Sequence, residues 1–259
     1  MEKLLVTSKD GIKRITFNTP ERRNAVDPEM MERLFEAVRE TAEDASKVLI
    51  LTGAGDAFCA GADVKGMQAR GNTPFDVTEH LRHISNPTIQ ALREMPKPVI
   101  ARVHGPAVGI GCNYALAADI RIASTAAQFG QVFSKIGLMP DGGSTYLLPR
   151  MVGYAAAYEL MVTGEVINAQ RALAFGLVNR VVPPEQLNDV VEQWAARLAS
   201  GPSVAFAGIK KALLYGETHT LAESLDFEAV TQTACFGSKD FHEGVAAFVE
   251  KRKPAFQGR

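Results

Sequence analysis

One carboxylate, Asp141, stands in the stretch GLMPDGGSTYLLPR (137–150), after a proline, before two glycines and among apolar or neutral neighbours. Two readings fit it. A carboxylate in an apolar cleft holds its proton more tightly and can act as a base, whereas an Asp ahead of STYLLPRM can cap a helix. The roles oppose each other, because a capping carboxylate is held ionised and is a weak base. Two further segments, LTGAGDAFCAGADVKGM (51–67) and VHGPAVGIGCNYALA (103–117), each run from a strand through glycines to a helix start. Glycine permits positive φ and close approach to a ligand, and the first turn of a helix has N–H groups without internal partners. Such a place accepts an anionic oxygen; tight turning alone is the other reading of either loop. Phosphate-loop motifs do not fit, since GPAVGIG lacks the Gly-x-Gly-x-x-Gly order and no Gly-x-x-x-x-Gly-Lys-Ser/Thr occurs. One N–H from each loop, converging on one oxygen, would form an oxyanion hole, with donors worth roughly 3–4 kcal/mol apiece in a dry site. That chemistry suits an enolate.

The elements that must position these residues are those of a mixed α/β core. The N-terminal MEKLLVTSKDGIKRITF alternates apolar and polar residues around a KDG turn and reads as a hairpin. Asp27 is placed to cap a helix with Pro28 in its first turn, running to about Glu43. KVLILTG, KPVIARVHG and DIRIAS are continuous apolar strands of the kind covered on both faces. Between the first two, residues 74–95 carry helical spacing at Phe75, Leu81, Ile84, Ile89 and Leu92, and helical stretches run from about Glu185 to the end.

Composition narrows the function classes. With 28 basic and 29 acidic side chains in 259 residues and 46% hydrophobic residues, the chain has neither the charge of a nucleic-acid surface nor, in its interrupted run at 99–108, an apolar stretch long enough to span a membrane. No nucleic acid and no membrane are expected, and the hairpin at the N-terminus points to a cytoplasmic protein. Cys59, Cys112 and Cys235 are widely spaced and odd in number, reading as reduced, packed thiols. No metal is expected, since His80 and His83 lack a third ligand at useful spacing.

The motifs ERRNAV, FCAGADVKGM, HGPAVGIGCNYALAADIRIAS, AAQFGQ, GLMPDGGSTYLLPR, A-x-x-x-GLVNRVV and EGVAAFVEKRKPAF resemble, nearly end to end, those of the crotonase (enoyl-CoA hydratase/isomerase) superfamily. The resemblance implies an α/β crotonase-like spiral of ββα repeats with a C-terminal helical trimerisation region. It divides the chain into an acyl-CoA-binding core at 1–190 and a helical oligomerisation subdomain at 191–259. It implies an acyl-CoA thioester substrate, no cofactor beyond the CoA moiety of that substrate, and a homotrimer or dimer of trimers. Carried over by position, the oxyanion donors are the backbone N–H groups of Ala62 and Ile110, the second being bulkier than the usual glycine or alanine. CoA contacts fall on Arg23, Ala25, Ala60, Gly61, Ala62, Asp63 and Val64, with Asp63 also readable as a helix cap. Phe248 and Lys251 match positions that complete the CoA site of a neighbouring subunit.

Hydratases that this sequence resembles use two glutamates at the places held here by Asn113 and Phe133, neither of which can take up a proton. Asn113, Phe133 and Met139 are expected around the acyl pocket, with Asn113 also able to bond local backbone. Asp141 is then the acid that remains, in a KIGL-x-PD stretch similar to that of isomerases of phenylacetate catabolism. The resemblance implies an acyl-CoA isomerase with one Asp as acid/base; an enoyl-CoA hydratase and a catalytically silent acyl-CoA-binding member are the alternatives. A dehalogenase branch is disfavoured, because it needs a tryptophan at Phe133 and a histidine near Asn86.

Overall fold

The computed structural model describes residues 2–71 and 74–258, so Asn72 and Thr73, inside the region expected to shape the acyl pocket, lie outside the described residues. The chain opens with β1 (Leu4–Lys9) and β2 (Ile12–Phe17), then α1 (Pro28–Glu43), β3 (Val48–Gly53), α2 (Val64–Arg70), α3 (Val77–His80) and α4 (Asn86–Glu94). It continues through β4 (Val99–Val103), β5 (Pro106–Val108), α5 (Ile110–Ala117), β6 (Ile120–Ser124), β7 (Gln128–Gly130), α6 (Ser144–Val152), α7 (Tyr154–Thr163), β8 (Val166–Asn168), α8 (Ala169–Ala174) and β9 (Arg180–Val182). Four helices close it: α9 (Pro184–Ala199), α10 (Ser203–Gly216), α11 (Leu221–Phe236) and α12 (Lys239–Glu250).

Asp10 and Gly11, both at positive φ (52° and 75°), make the β1–β2 turn, the backbone that matches the twist of a two-residue hairpin. The larger sheet runs β1-β2-β3-β4-β6-β9 and the smaller one β5-β7-β8. The spiral arises because successive units send one strand to each sheet. β4, β5 and α5 form one turn, and β6, β7 and α6 the next. The turn before them has β3, a parallel bridge from Cys59 to Ala107 beside β5, and α2.

Every residue of β3 is buried, as its continuous apolar run predicts. Leu49 and Leu51 face one core with Val99, Ala101 and Val103, while Val48 and Ile50 face another with Ile100, Ile122 and three residues of α9, Leu187, Val191 and Ala195. The expected domain boundary at 190/191 therefore needs correction. It would cut α9 in two, although that helix covers the second face of the sheet and belongs to the core.

The helical spacing expected over 74–95 is realised in two helices, α3 and α4, joined by a π turn at Leu81–Ser85. Pro87, in the first turn of α4, lacks an N–H and crowds the carbonyl four residues back, which a wider turn relieves. Beyond α9, the helices leave large apolar residues in the open: Leu213, Val230 and Phe248 are 69%, 74% and 86% exposed. α11 has no buried residue at all, and a groove of about 1110 Å³ runs between α10, α11 and α12. Among the described residues no helix is long and apolar enough to cross a membrane.

Truncating Leu187, fully buried between α9 and the sheet, is expected to cost about 2–5 kcal/mol as Leu187→Ala in urea denaturation. A change within half a kcal/mol would mean that α9 is not part of the core.

Candidate active site

The two glycine loops meet. A Cβ on Gly61 (φ +93°) would stand 3.0 Å from the Val108 carbonyl oxygen and 3.8 Å from the Cα of Gly109. Gly109 itself sits at φ 56°, ψ −132°, a region open in practice to glycine alone. Parallel bridges from Val26 to Ala62 and from Cys59 to Ala107 pin the first loop, and Gly109 N–H donates to the Gly130 carbonyl at 2.9 Å to hold the second. Ala62 follows Gly61, and Ile110 is the first residue of α5, whose opening N–H groups have no intrahelical partner. Among the described residues, neither the Ala62 nor the Ile110 N–H donates to a protein acceptor.

The Asp141 turn lies against the start of α5. Gly142, at φ +53°, has no room for a side chain: a Cβ there would meet Ile110 Cδ1 at 2.3 Å and Asn113 Nδ2 at 3.2 Å. Asp141 is not a cap. α6 starts from Gly143 in the left-handed region with no side-chain cap, and it is the Asp141 carbonyl that accepts from Ser144 N (3.2 Å) and Ser144 Oγ (2.9 Å). Burial raises the Asp141 carboxyl above its ordinary value, opposed only in part by its own backbone N–H.

Both loops and Asp141 line one cleft of about 760 Å³. Its walls carry Val26, Met31, Ala60, Gly61, Ala62, Asp63 and Val64 on one side, and Gly109, Ile110, Phe133, Ile136 and Leu138 with Asp141 on another. Phe75, just ahead of α3, with Val77, His80, Leu81 and Ser85 from α3 and the π turn, adds a further wall. Amide N–H groups without a protein acceptor and a carboxyl of raised proton affinity on one cleft are groups able to polarise a carbonyl and move a proton beside it.

Comparison with known proteins agrees with that geometry. The family model described as "Enoyl-CoA hydratase/isomerase" matches residues 7–259. The chain belongs to the enoyl-CoA hydratase/isomerase family. It is 40% identical over 262 residues to the "1,2-epoxyphenylacetyl-CoA isomerase" of Escherichia coli, covering 100% of both chains. It is 36% identical over 257 residues to the "Crotonyl-CoA hydratase" of Syntrophomonas wolfei, covering 98% of both. Among solved structures, the enoyl-CoA hydratase of Bacillus anthracis superposes with a TM-score of 0.91 at 33% identity over 100% of each chain. The enoyl-CoA hydratase of Mycobacterium smegmatis does so with the same score and identity over 98% of each. The architecture described above is thus the crotonase fold of this family.

Of the residues that the family resemblance singled out, the cleft gathers Ala60, Gly61, Ala62, Asp63, Val64, Ile110, Phe133 and Asp141. Asp63 caps α2 by accepting from Gly66 N at 3.0 Å, and it pairs with Arg22 at 2.7 Å. Two residues expected around the acyl pocket do not line this cleft. Asn113 is fully buried behind the wall, bonded to the Asp141 carbonyl at 2.8 Å, and Met139 is 72% exposed and lies off the cleft. Arg23 and Ala25 also do not line it; they sit on the adjoining loop, where the Arg23 carbonyl accepts from Ala60 N at 2.9 Å. Phe248 and Lys251, both exposed on or just after α12, do not reach the cleft of their own chain.

Three organising residues escape a sequence reading. Buried Asn24 accepts from Thr19 N and donates to the carbonyls of Ala54 and Ala57, tying the ERRNAV loop to the end of β3. Gln131 donates to Asn113 at 2.8 Å. His80, set against Phe75 with ring centroids 5.2 Å apart, faces Met31 Sδ at 3.1 Å on the cleft wall. Asn24 alone had a local signal, an Asn in a turn. Cys59 and Cys112 are buried thiols pushed up to about 12 by desolvation, and so inert near neutral pH. Among the described residues no three His, Cys, Asp or Glu side chains group as metal ligands.

A carboxyl raised in the folded state binds its proton more tightly than in the unfolded chain, so its contribution to stability is present below the ordinary Asp value and lost as pH rises through the raised one. Asp141→Asn is therefore expected to melt above the parent at pH 7, with the difference vanishing below about pH 4. A lower melting temperature at pH 7 would contradict the burial of this group.

Proposed function

We propose that this protein is an acyl-CoA isomerase that shifts a carbon–carbon double bond, or rearranges a ring epoxide, through a thioester enolate with Asp141 as its acid/base. One observation carries the reading. Three aspartates line the cleft, and two are already engaged: Asp27 with Lys3 and the Met30 N–H, Asp63 with Arg22 and the Gly66 N–H. Asp141 has no cationic partner among the described residues and is raised by burial, the condition that makes a carboxylate a stronger base. Asn113 and Phe133, which the family resemblance puts at the places of the hydratases' two glutamates, offer no second acid.

In this reading the thioester oxygen lies against the N–H groups of Ala62 and Ile110. Asp141 removes a proton from the carbon next to the double bond. The C–H electron pair moves through the conjugated system onto the thioester oxygen, where the two amides hold the charge. The protonated Asp141 then returns its proton two carbons away, so no atom is gained or lost. Arg23, Ala25 and residues 60–64 would hold the CoA portion, and no group beyond that CoA is invoked. The exposed apolar surface of α10–α12 supports assembly into trimers or pairs of trimers, in which Phe248 and Lys251 of one copy would complete the CoA site of another.

The second reading, an enoyl-CoA hydratase, draws on the 36% identity to a protein named as a crotonyl-CoA hydratase. Liquid chromatography with mass spectrometry separates the two: with 3-enoyl-CoA an isomerase yields a product of unchanged mass at a new retention time, whereas a hydratase adds water to 2-enoyl-CoA. Asp141→Asn is expected to lower isomerase turnover by about 10²–10⁴-fold; undiminished turnover would rule out Asp141 as the base. Binding of CoA without turnover across a broad thioester panel would favour a silent acyl-CoA-binding protein. Light scattering is expected to give three or six times the 27.9 kDa chain mass, and a monomer would refute the assembly.

A further inference from the structure

Behind the cleft runs a buried polar chain that the proposed chemistry leaves unused. Asn113 donates Nδ2 to the Asp141 carbonyl at 2.8 Å and accepts at Oδ1 from Gln131 Nε2 at 2.8 Å. Both residues are buried, at 0% and 2% exposure. With both ends of its amide committed, Asn113 has one orientation. Gln131 directly follows Gly130, the residue whose carbonyl takes the Gly109 N–H at 2.9 Å. One two-residue segment therefore holds the second glycine loop by its main chain and the Asp141 turn by its side chain, through Asn113.

At the far end, three donors converge on the Asp141 carbonyl: Asn113 Nδ2, Ser144 N and Ser144 Oγ. All of them grip the main chain and leave the carboxylate out of the network. An apolar residue at 113 would leave the buried Gln131 donor without its acceptor and take one of three donors from the Asp141 carbonyl, and a carboxylate would set negative charge against that carbonyl.

We propose that Asn113 and Gln131 form a strut that fixes the Asp141 carboxylate relative to the amides of the two glycine loops, which makes Asn113 a positioning residue for proton transfer. The inference rests on the reading of Asp141 as acid/base. Neither strut residue lines the cleft, so the strut governs the placement of the base and leaves the hold on the thioester unchanged.

The test uses the full chain with Asn113→Ala, Gln131→Leu, their combination, and Asp141→Asn. With 3-enoyl-CoA, Asn113→Ala is expected to lower kcat about 10–100-fold, the cost of a misplacement near 1 Å, while KM stays within about threefold. Gln131→Leu lowers kcat less, and the double variant is no slower than Asn113→Ala, because a strut fails as one unit. A readout independent of turnover is the titration of the Asp141 carboxyl, taken as the ¹³C resonance that Asp141→Asn removes. It moves back toward the ordinary Asp range in Asn113→Ala, since a loosened turn admits water. The other titratable groups on the cleft walls are Asp27, Asp63, His80 and Lys135, and buried Tyr114 is the group whose own titration feels Asp141; none of them is changed by these substitutions.

An unmoved titration overturns the strut, as does a raised KM with kcat intact or an additive double variant. If Asn113→Ala does not fold, Gln131→Leu carries the kcat, KM and titration readouts. Full turnover in Asp141→Asn would defeat the acid/base reading, with the titration still deciding the strut. An inactive Asp141→Asn beside an Asn113→Ala equal to the parent would defeat the strut alone.

Discussion

The contact between Gly61 and the Val108–Gly109 main chain, where a Cβ would come within 3.0 Å of a carbonyl oxygen, is the constraint on which the other features of the cleft depend. Two strand-to-helix loops approach this closely only because their parent strands, β3 and β4, are adjacent and parallel, with Leu49 opposite Val99 and Leu51 opposite Ala101. Parallel strands deliver their following loops to the same end of a sheet, the end at which open α/β sheets bind ligands. The second sheet refines the placement, since Cys59 bridges to Ala107 and β5 pairs with β7. The loops are thereby held from both sheets, and their spacing becomes a property of the core, with little left to loop conformation.

Asp141 is set apart from its own helix by the same economy of backbone. Asp27, Asp63, Asp76, Asn168, Thr220 and Ser238 each cap a helix through a side-chain oxygen. α6 forgoes such a cap, which is typically worth about 1 kcal/mol, and begins from two glycines at positive φ. The carboxylate that a helix start would ordinarily hold ionised is left half-buried, unpaired and raised. That is a local cost in stability accompanied by a raised proton affinity in one carboxyl of the cleft, and strained or unsatisfied features of this kind gather at functional sites.

The sequence made the larger elements legible where their physics is local. VLILTG and VIARV are mainly apolar runs, the second broken at Arg102, and both proved to be strands covered on two faces. The hairpin, the Asp27 cap and α1 follow from turn and capping chemistry within a few residues. β5, β7 and β8 were not legible, because PAV, QFG and VIN are too short to have a period. The π turn at Leu81–Ser85 hid inside an apolar spacing that suits an unbroken helix. In the candidate site, Asp141 and the glycines stood out by composition, but the choice between cap and cleft depended on tertiary packing. Asn113 reads as a pocket residue until its partners are known, and those lie 28 and 18 residues away in the chain.

Ile110 joins these threads, since it is bulkier than a loop built for close approach would suggest. Its side chain is buried to 4% exposure and reaches the space that a Cβ on Gly142 would occupy. The isoleucine at 110 and the glycine at 142 are thus one steric unit: the first fills the volume that the second vacates, and the Asp141 turn is seated on the start of α5. The main-chain N–H of Ile110 is independent of that packing, so a single residue of the cleft wall can wedge one loop with its side chain while its amide, among the described residues, donates to no protein acceptor. All eight residues of α5 are buried, as befits a helix enclosed on every side. The helix start that carries this amide is therefore held in surroundings of low polarity, where an oriented N–H acts on developing charge far more strongly than it would in water.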